Sequence, residues 1–299
     1  MTPFEALTDE QWERIFPLLP SNEGRKGRPF TNNRRIINGI IYRYRTGIPW
    51  RDLPREQFGP WQTVWKRHRS YARRGVWDHV LSQVISQADE AGKVDWAVSI
   101  DATINRAHQH ATNTKRPEQD TGARSNYKKF SLGEDEPAGH GIGRSRGGLT
   151  TKIHQVVDGH GLPLAMVVTG GQRNDGVMLK DTLEDIYVPR PTGRPRTTPE
   201  VVLADRGYTS GVNRRYLRGR HIKMVIPQKK NEITARQKKG SQGGRPPTLD
   251  TEAYKVRNVV ERSFNSVKQW RGLATRYDKL ATTYRSATVL HAILQWLKT

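Results

Sequence analysis

The amino-acid sequence predicts a mixed α/β protein in which a helical amino-terminal region precedes a sheet of five strands flanked by helices. Two observations lead to this prediction. Apolar residues in the first third recur at helical spacing, and in the remainder short apolar runs of strand length alternate with helical patterns. We expect residues 1–91 to form the helical region and residues 92–299 to form the α/β domain.

Composition points to a polyanionic partner. The chain of 299 residues has 51 Lys and Arg against 29 Asp and Glu, a formal charge of +22 at pH 7. An excess of this size repels itself in a compact fold unless an anion compensates, so nucleic acid is the first partner to expect. The absence of cysteine excludes disulfides, thiolate metal sites and cysteine nucleophiles. Without a signal-peptide pattern or an apolar window of about 20 residues, we expect a soluble, cytoplasmic protein with no membrane contact.

Three helices are predicted in the first region. Thr8 is placed to cap the first helix, with Gln11 three residues later in a capping box. Apolar residues at helical spacing predict a second helix that begins near residue 31 and ends at Gly47. A third helix is predicted from residue 60 or 61 through Tyr71.

The second and third helices lie in the most basic part of this region. Between residues 34 and 74 there are eleven basic residues against Asp52 and Glu56. Two helices around a Gly/Pro turn suit a helix-turn-helix unit whose recognition helix enters the major groove of DNA. The alternative is a solvated basic face on an ordinary helical bundle. The expected DNA contacts on the recognition helix are Thr63, Lys66, Arg67 and Arg69.

Five apolar runs predict the strands of the sheet. They cover residues 96–100, 149–157, 162–168, 201–204 and 222–226. The second and third runs are joined by Asp-Gly-His-Gly, a hairpin signal. Helical patterns follow the third, fourth and fifth runs, so the order is strand, hairpin, helix, strand, helix, strand, helix. This order matches the ribonuclease H-like arrangement.

Two of the predicted strands end in an acid. Asp101 follows the first run and Asp205 follows the fourth. In an open sheet of this kind, functional groups gather beyond the carboxyl ends of the strands, so both carboxylates are candidate site residues.

A third acid is predicted on the last long helix, from residue 250 to residue 272. At 100° per residue, Tyr254, Arg257, Glu261 and Lys268 fall within roughly 60° of arc. An adjacent apolar stripe, which includes Val256 and Trp270, is expected to be buried. The alternative for Glu261 is an exposed ion pair with Arg257, and the alternative for Tyr254 is packing at the helix edge.

Three carboxylates suggest a metal centre. Oxygen ligands of this type suit Mg²⁺, and two such ions about 4 Å apart would serve phosphodiester displacement. Other motifs are less informative: we interpret His108 and His110 as surface residues, His154 and His160 as structural, and Asn174 or Asp175 as a helix N-cap. Two basic segments, 106–147 and 228–247, are predicted to be loops that contact DNA; for the second, a solvated loop without DNA contact is an equally good alternative. Within and beside the first, the expected contacts are Arg144, Arg146 and Lys152.

Several sequence blocks resemble one family. The spacing of Tyr254, Arg257, Glu261 and Lys268 is similar to the carboxyl-terminal signature of the DDE transposases of bacterial insertion sequences. The blocks LTDEQWERIFPLLP, RTGIPWRDLPREQFGPWQTVWKRHR and GRSRGGLTTKIH resemble the insertion-sequence-five group of that family. The resemblance covers nearly the whole chain, with weak support only from residue 109 to residue 141.

The resemblance implies a set of functional expectations. Members have a ribonuclease H-like catalytic domain, bind the terminal inverted repeats of their own element, cleave to free a 3′-hydroxyl and join it to target DNA without a covalent protein intermediate. Asp101, Asp205 and Glu261 would hold two ions of Mg²⁺ or Mn²⁺. Tyr254, Arg257 and Lys268 would contact DNA near the cleaved bond. The family acts across paired ends, so a homodimer on DNA, associated with the bacterial nucleoid, is expected.

Two other classes of function remain open from the sequence. A DNA-binding regulator, or a domesticated protein without catalysis, would share the amino-terminal block and the charge but would not nick an inverted-repeat substrate. A basic RNA-binding structural protein would prefer RNA over duplex DNA at fixed salt concentration, which must be held constant because phosphate contacts dominate affinity.

Overall fold

The computed structural model describes residues 4–21, 32–113 and 138–299. The basic, glycine-containing sequence at residues 23–29, which we expect to connect the first two helices, and most of the predicted loop at 106–147 therefore lie outside the described residues. The helices are α1 (Asp9–Ile15), α2 (Asn33–Thr46), α3 (Arg55–Phe58), α4 (Trp61–Arg73), α5 (Val76–Glu90), α6 (Gln109–Thr112), α7 (Leu179–Glu184), α8 (Gly211–Gly219), α9 (Lys230–Lys238), α10 (Thr251–Lys255), α11 (Val259–Lys268), α12 (Arg271–Ala274) and α13 (Ala281–Trp296). The strands are β1 (Ala97–Ala107), β2 (Gly143–Ser145), β3 (Gly148–Val157), β4 (Pro163–Gly170), β5 (Val201–Leu203), β6 (Lys223–Val225) and β7 (Thr275–Arg276).

The amino-terminal helices begin and end largely where their caps predict. The Thr8 hydroxyl accepts a hydrogen bond from the Gln11 backbone N–H, and the Gln11 side chain accepts one from the Thr8 N–H, each at 3.2 Å. α2 ends at Gly47, whose φ of 75° is in the left-handed region that glycine adopts without strain. α5 was not predicted, because it begins after Gly75 with no side-chain cap to mark it.

The connection between α2 and α4 is longer than a helix-turn-helix turn. It spans residues 47–60 and contains a 3₁₀ turn and α3, whereas the motif has a turn of about three or four residues. The Arg35 side chain donates to backbone carbonyls of α3, including that of Gln57 at 2.9 Å, and so holds α3 against α2. Only Gly59 and Pro60 separate α3 from α4.

The sheet contains the five predicted strands in the predicted order. β4, β3, β1, β5 and β6 lie side by side; β3 runs antiparallel to β1 and β4, whereas β5 and β6 run parallel to β1. If the five predicted strands are numbered in chain order, their order across the sheet is therefore 3-2-1-4-5, and the fold is mixed α/β with the expected ribonuclease H-like arrangement. Two further strands, β2 and β7, raise the number to seven within the described residues. Their sequences are Gly-Arg-Ser and Thr-Arg, so neither forms the apolar run from which the other strands were predicted.

β1 is longer than its apolar run predicts. Asp101 does not terminate it, because antiparallel pairing with β3 continues from Ile100 opposite Val156 to Arg106 opposite Thr150. The second half of β1 buries polar side chains that hide the strand pattern. Asn105, for example, is buried and hydrogen-bonds the Tyr284 hydroxyl at 2.8 Å.

One apolar core joins the two predicted regions. α13 is buried along nearly its whole length and packs against β4 on one side and against α4 and α5 on the other. Because α13 is buried on all sides and mixes apolar residues with buried polar ones such as Arg285 and His291, it lacks the amphipathic pattern that predicts a helix, and it was not predicted from the sequence. Among the described residues, no helix combines the length and hydropathy that crossing a bilayer requires.

The predicted loop at residues 228–247 contains a helix. α9 occupies Lys230–Lys238, and the carboxylate of Glu232 accepts hydrogen bonds from the Lys229 N–H at 3.3 Å and from the Thr209 hydroxyl at 3.0 Å. The residues of α9 are mostly good helix formers, but its surface is polar all round, so no periodic pattern reveals it. Through Glu232 this basic helix is attached to the segment that follows Asp205.

Candidate active site

Asp101 and Asp205 lie beside each other where the parallel pairing of β1 and β5 ends. Ser99 is paired with Leu203, and a step of two residues along each strand takes the same register to Asp101 and Asp205. Asp205 has left β5, and its carboxylate accepts a hydrogen bond of 2.7 Å from the Gly207 N–H. The two aspartates predicted from sequence therefore lie side by side, Asp101 within β1 and Asp205 just beyond the end of β5.

Glu261 reaches the same site from α11. α11 packs on β1 and β3, where the Gln155 amide donates to the Ser263 hydroxyl at 3.1 Å. Arg257 connects the acids: its Nη1 donates to Asp101 Oδ2 at 3.1 Å and its Nη2 donates to Glu261 Oε1 at 2.7 Å. The guanidinium thus lies between two of the three predicted ligands.

The predicted long helix over residues 250–272 is wrong in detail, because it is interrupted. A 3₁₀ turn over Val256–Asn258 separates α10 from α11. A 3₁₀ turn advances about 120° per residue instead of 100°, so Val256 rotates off the apolar stripe and is 47% exposed. Trp270 is buried as expected.

The other signature residues occupy different positions around this break. Tyr254 lies on α10, and its ring centroid is 5.9 Å from the Arg257 guanidinium carbon. Lys268 is exposed at the end of α11. Seven residues separate it from Glu261, a rise of about 10 Å along the helix. Tyr254 therefore accompanies the carboxylates, and Lys268 extends the same face away from them.

Burial perturbs the ionisable groups at this site. Burial raises the pKa of Asp101, and the Asp205 charge adds to the rise, while the Ala102 N–H and the Arg257 guanidinium oppose it. Burial also raises the pKa of Tyr208 well above its usual value, with further contributions from the charges of Asp101, Asp175 and Asp205. The Tyr208 hydroxyl is buried without a hydrogen-bond partner among the described residues. The phenol thus remains neutral beside the acids.

Asp175 is a further acid near this centre that the sequence analysis interpreted as an N-cap. Its side chain makes no capping hydrogen bond. Instead it accepts a hydrogen bond of 2.8 Å from Lys152 Nζ and lies 3.9 Å from His154 Nδ1. His154 is fully buried, and burial lowers its pKa to about 3, so it is neutral and structural as predicted. The signal available in sequence was that Asp175, like Asp101 and Asp205, follows a strand.

A packed contact fixes the segment that carries Asp205. The Asn213 amide donates to the Gly176 carbonyl at 2.8 Å and to the Tyr208 carbonyl at 3.0 Å, which ties together the turns after β4 and β5. A Cβ atom on Gly176 would lie 2.4 Å from the carbonyl oxygen of Gly207. Glycine is therefore required at position 176 for the close approach of the two turns.

The donor chemistry fits a divalent cation, although the three carboxylates are not gathered around one point. Burial raises the pKa of Asp101 and so destabilises its ionised form, which a neighbouring positive charge would stabilise. The Arg257 guanidinium supplies that charge here. Within residues 4–21, 32–113 and 138–299, no three acidic or histidine side chains converge closely enough to chelate an ion. Carboxylate oxygens are nevertheless the ligands that Mg²⁺ and Mn²⁺ prefer.

The predicted DNA-contact residues on α4 differ in accessibility. Lys66 and Arg69 are exposed, and the Arg69 guanidinium lies 5.5 Å from the Trp65 ring centroid. Thr63 is half-buried. Arg67 is half-buried as well and donates to the Asn33 side chain, which fastens α4 to α2. Two of the four predicted contacts therefore point to solvent.

The predicted contacts near β2 and β3 also differ. Arg144 and Arg146 are exposed. Lys152 is buried, and its ammonium donates to the Asp175 carboxylate and, at 2.7 Å, to the Arg173 carbonyl. In this arrangement Lys152 organises the turn after β4, while the two arginines present their charges to solvent.

Comparison with known protein families accounts for both parts of the chain. The family described as "Transposase DDE domain" matches residues 92–296, and the family described as "Putative transposase of IS4/5 family" matches residues 7–81. The first match covers more than half of the chain and includes all three acids.

Individual relatives agree with these matches. The chain is 38% identical over 112 residues to the uncharacterized protein y4sN of Sinorhizobium fredii, which covers 38% of this chain and 85% of that protein. It is 37% identical over 132 residues to the putative transposase for insertion sequence element IS402 of Burkholderia cepacia, 44% of this chain and 55% of that protein. It is 29% identical over 150 residues to the putative transposase for insertion sequence element IS6501 of Brucella ovis, 50% of this chain and 100% of that protein.

Among solved structures, one match is the crystal structure of the Mos1 strand transfer complex, with a TM-score of 0.24 and 12% identity over 92% of this chain and 79% of that chain. A superposition of this quality carries no argument about the site. The sequence matches, together with the mixed sheet and the three acids, are sufficient to assign the family. The chain belongs to the DDE transposases, with an amino-terminal region of the IS4/5 type.

Proposed function

We propose that this protein binds the terminal inverted repeats of its own insertion sequence, cleaves DNA there by hydrolysis to give 3′-hydroxyl ends, and joins those ends to target DNA. Membership of the DDE transposases supports transposition as the class of activity. The observation that carries the finer proposal is the shared register of Asp101 and Asp205, with Glu261 linked to Asp101 through Arg257.

Asp101, Asp205 and Glu261 would hold two ions of Mg²⁺ or Mn²⁺. Such ions, when bound, activate the attacking oxygen and stabilise the leaving oxygen of a phosphodiester. The protein contributes a preformed site: β1 fixes Asp101, the Gly207 N–H orients Asp205, and α11 presents Glu261. Partial burial of Asp101 limits the access of water to its carboxylate.

The cationic side chains at this site would position the DNA. Arg257 has a fork of N–H donors that suits a phosphate, and its contact with the Tyr254 ring restricts its orientation. Lys268 lies further along the same face of α11, and its ammonium group, as a point charge, suits a phosphate further along the DNA strand. As in the family, no covalent protein intermediate would form, so DNA joining would proceed through DNA hydroxyls.

The amino-terminal helices would supply recognition of the inverted repeats. Lys66 and Arg69 are the exposed cations of α4, the helix that suits a groove. Thr63 and Arg67 would support that helix from its half-buried side. We propose a homodimer across two paired ends, acting on chromosomal DNA in the bacterial cytoplasm.

Cleavage of a defined end tests this proposal. Candidate ends are the short inverted repeats that flank the gene, offered as labelled duplexes with Mg²⁺, with Mn²⁺ or with a chelator. We expect a nick at the repeat boundary with either ion, no nick with the chelator, and a product that a polymerase extends because it ends in a 3′-hydroxyl. Binding without a nick under both ions would refute the proposal in favour of a DNA-binding regulator.

A further inference from the structure

A cavity of about 620 Å³ lies on the face of the sheet opposite the face that carries the Asp101 side chain. Asp101 and Gln155 are paired neighbours on the face that α11 covers, as the Gln155 contact with Ser263 shows. Ile104 and Arg106 are an odd number of residues from Asp101 along β1, so they point to the other face. The residues that define the cavity are Ile104, Arg106, Arg144, Arg146, Thr150 and Gln172.

The cavity concentrates positive charge without compensation. The side chains of Arg106, Arg144 and Arg146 are exposed, and within the described part of the chain none of the three guanidinium groups has an ion-pair or hydrogen-bond partner. Lys152, on the same face of β3, is by contrast neutralised by Asp175. Three guanidinium groups around one cavity repel each other, and an anion bound among them would relieve that repulsion.

The walls of the cavity are shaped by close backbone contacts. The Gly171 N–H donates to the Thr150 carbonyl at 3.1 Å, and a Cβ atom on Gly171 would lie 1.8 Å from the Thr150 hydroxyl oxygen. A Cβ atom on Gly143 would lie 1.5 Å from Gln172 Oε1. These glycines let the turn after β4 press against β2 and β3, so the hollow between the arginines is a built feature of the fold.

We propose that this arginine cavity, defined by Arg106, Arg144 and Arg146, binds a DNA phosphodiester that is separate from the one at the candidate active site. Guanidinium forks match phosphate oxygens, and the Thr150 and Gln172 side chains add hydrogen-bonding groups. Ile104 is 47% exposed at the cavity and offers an apolar surface to a sugar or base. The inference rests on the proposed DNA transposition and adds a second contact to it.

Two sources could supply this phosphodiester: a distant part of the bound end, or a second duplex such as the target. The variant with Arg106, Arg144 and Arg146 all replaced by Gln distinguishes them when binding is measured in a chelator. The matched control is Arg194→Gln, an exposed arginine outside the cavity. A second variant with Lys at the same three positions keeps the charge and removes the fork. Unchanged thermal midpoints verify that the variants fold.

The salt dependence of the dissociation constant is the readout. If the end duplex occupies the cavity, the plot of log association constant against log salt concentration becomes less steep in the Gln variant, by about 0.9 for each phosphate contact removed. The Lys variant retains most of the parental slope. If a second duplex occupies it, binding of the end is unchanged but capture of a second labelled duplex falls at least about tenfold, about 1.4 kcal/mol. Both results support the cavity.

A Gln variant that has the same salt dependence of binding as the parent, and that captures a second duplex as well as the parent does, would overturn the inference. Cleavage by the unmodified protein on the same duplex is scored separately. A parent that fails to cleave refutes the proposed function, whereas a Gln variant that binds and captures like the parent refutes only the cavity.

Discussion

The bridge that Arg257 makes between Asp101 and Glu261 predicts a specific loss of stability when it is removed. In Arg257→Gln, the partly buried Asp101 carboxylate, with a side chain 23% exposed, loses its cation. A hydrogen bond between charged groups in such a site contributes about 1.5–3 kcal/mol. The Glu261 side chain is 53% exposed, so its part of the bridge adds only a few tenths of a kcal/mol.

The expected destabilisation is therefore about 2–3 kcal/mol at neutral pH. For a domain of this size it would lower the thermal midpoint by roughly 4–12 °C, measured by calorimetry in a chelator. Arg262→Gln, an exposed neighbour on α11, is the matched control and should shift the midpoint by less than about 1 °C.

The pH dependence of this loss provides a second measure. Burial raises the folded-state pKa of Asp101 above its ordinary value of 3.8, and Arg257 opposes the rise. The free energy of unfolding therefore falls as the pH rises from 3.8 to the folded-state pKa of Asp101, because the carboxyl group ionises more readily in the unfolded chain. Removing Arg257 raises the folded-state pKa further and so extends this pH interval upward. The effect of Arg257→Gln should be full at pH 7 and nearly absent below pH 3.8. Equal effects of the Arg257 and Arg262 variants, or no change with pH, would refute this reasoning.

Three further predictions concern other groups of the protein. Asp101→Asn should raise the urea midpoint at pH 7 and lose that advantage near pH 3.5, because its ionised carboxylate is the destabilised form; an unchanged midpoint at pH 7 would contradict this. Gly176→Ala should lower the single-turnover cleavage rate at least about tenfold by displacing Gly207, whereas Gly211→Ala, which meets no atom within 4 Å, should leave it unchanged. Burial lowers the pKa of His68 to about 4, so the free energy of unfolding should fall as the pH drops from about 6.5 towards 4. His68→Gln should flatten that fall, and a variant with the same pH profile as the parent would contradict this prediction.

A divalent cation should compensate for the missing guanidinium. If the carboxylates hold an ion as proposed, Mn²⁺ should raise the thermal midpoint of Arg257→Gln more than that of the parent, because the ion no longer competes with the guanidinium and a tighter ligand stabilises the folded state more at a given concentration. The comparison needs no DNA and no activity. Equal shifts for the two proteins would show that Arg257 and the ion do not share the carboxylates.

The positions of the acids could be predicted because each follows from a local pattern. Asp101 and Asp205 end buried apolar runs, and parallel strands bring their ends to one edge, as the register of Ser99 with Leu203 shows. Glu261 could be placed because α11 keeps a clear apolar stripe up to Val267. These features need only neighbouring residues and a helical or strand period.

The features that were missed depend on tertiary structure. The break at Val256–Asn258 changes helical phase without a proline or glycine to mark it. Asp175 follows a strand and precedes a helical pattern, so its pairing with Lys152 could not be distinguished from a cap. α13 is surrounded by β4, α4 and α5, and burial on all sides removes the pattern from which a helix is inferred.

The most direct test of the central claim is single-turnover cleavage of an end duplex by Asp101→Asn, Asp205→Asn and Glu261→Gln, with binding of the same duplex measured in parallel. Glu252→Gln, an exposed acid paired with Lys255 on α10, is the control. We predict that each of the three substitutions lowers the cleavage rate at least about 10³-fold, about 4 kcal/mol, while binding and the control stay at parental levels. Near-parental cleavage by any one of the three would contradict a single catalytic centre formed by these carboxylates.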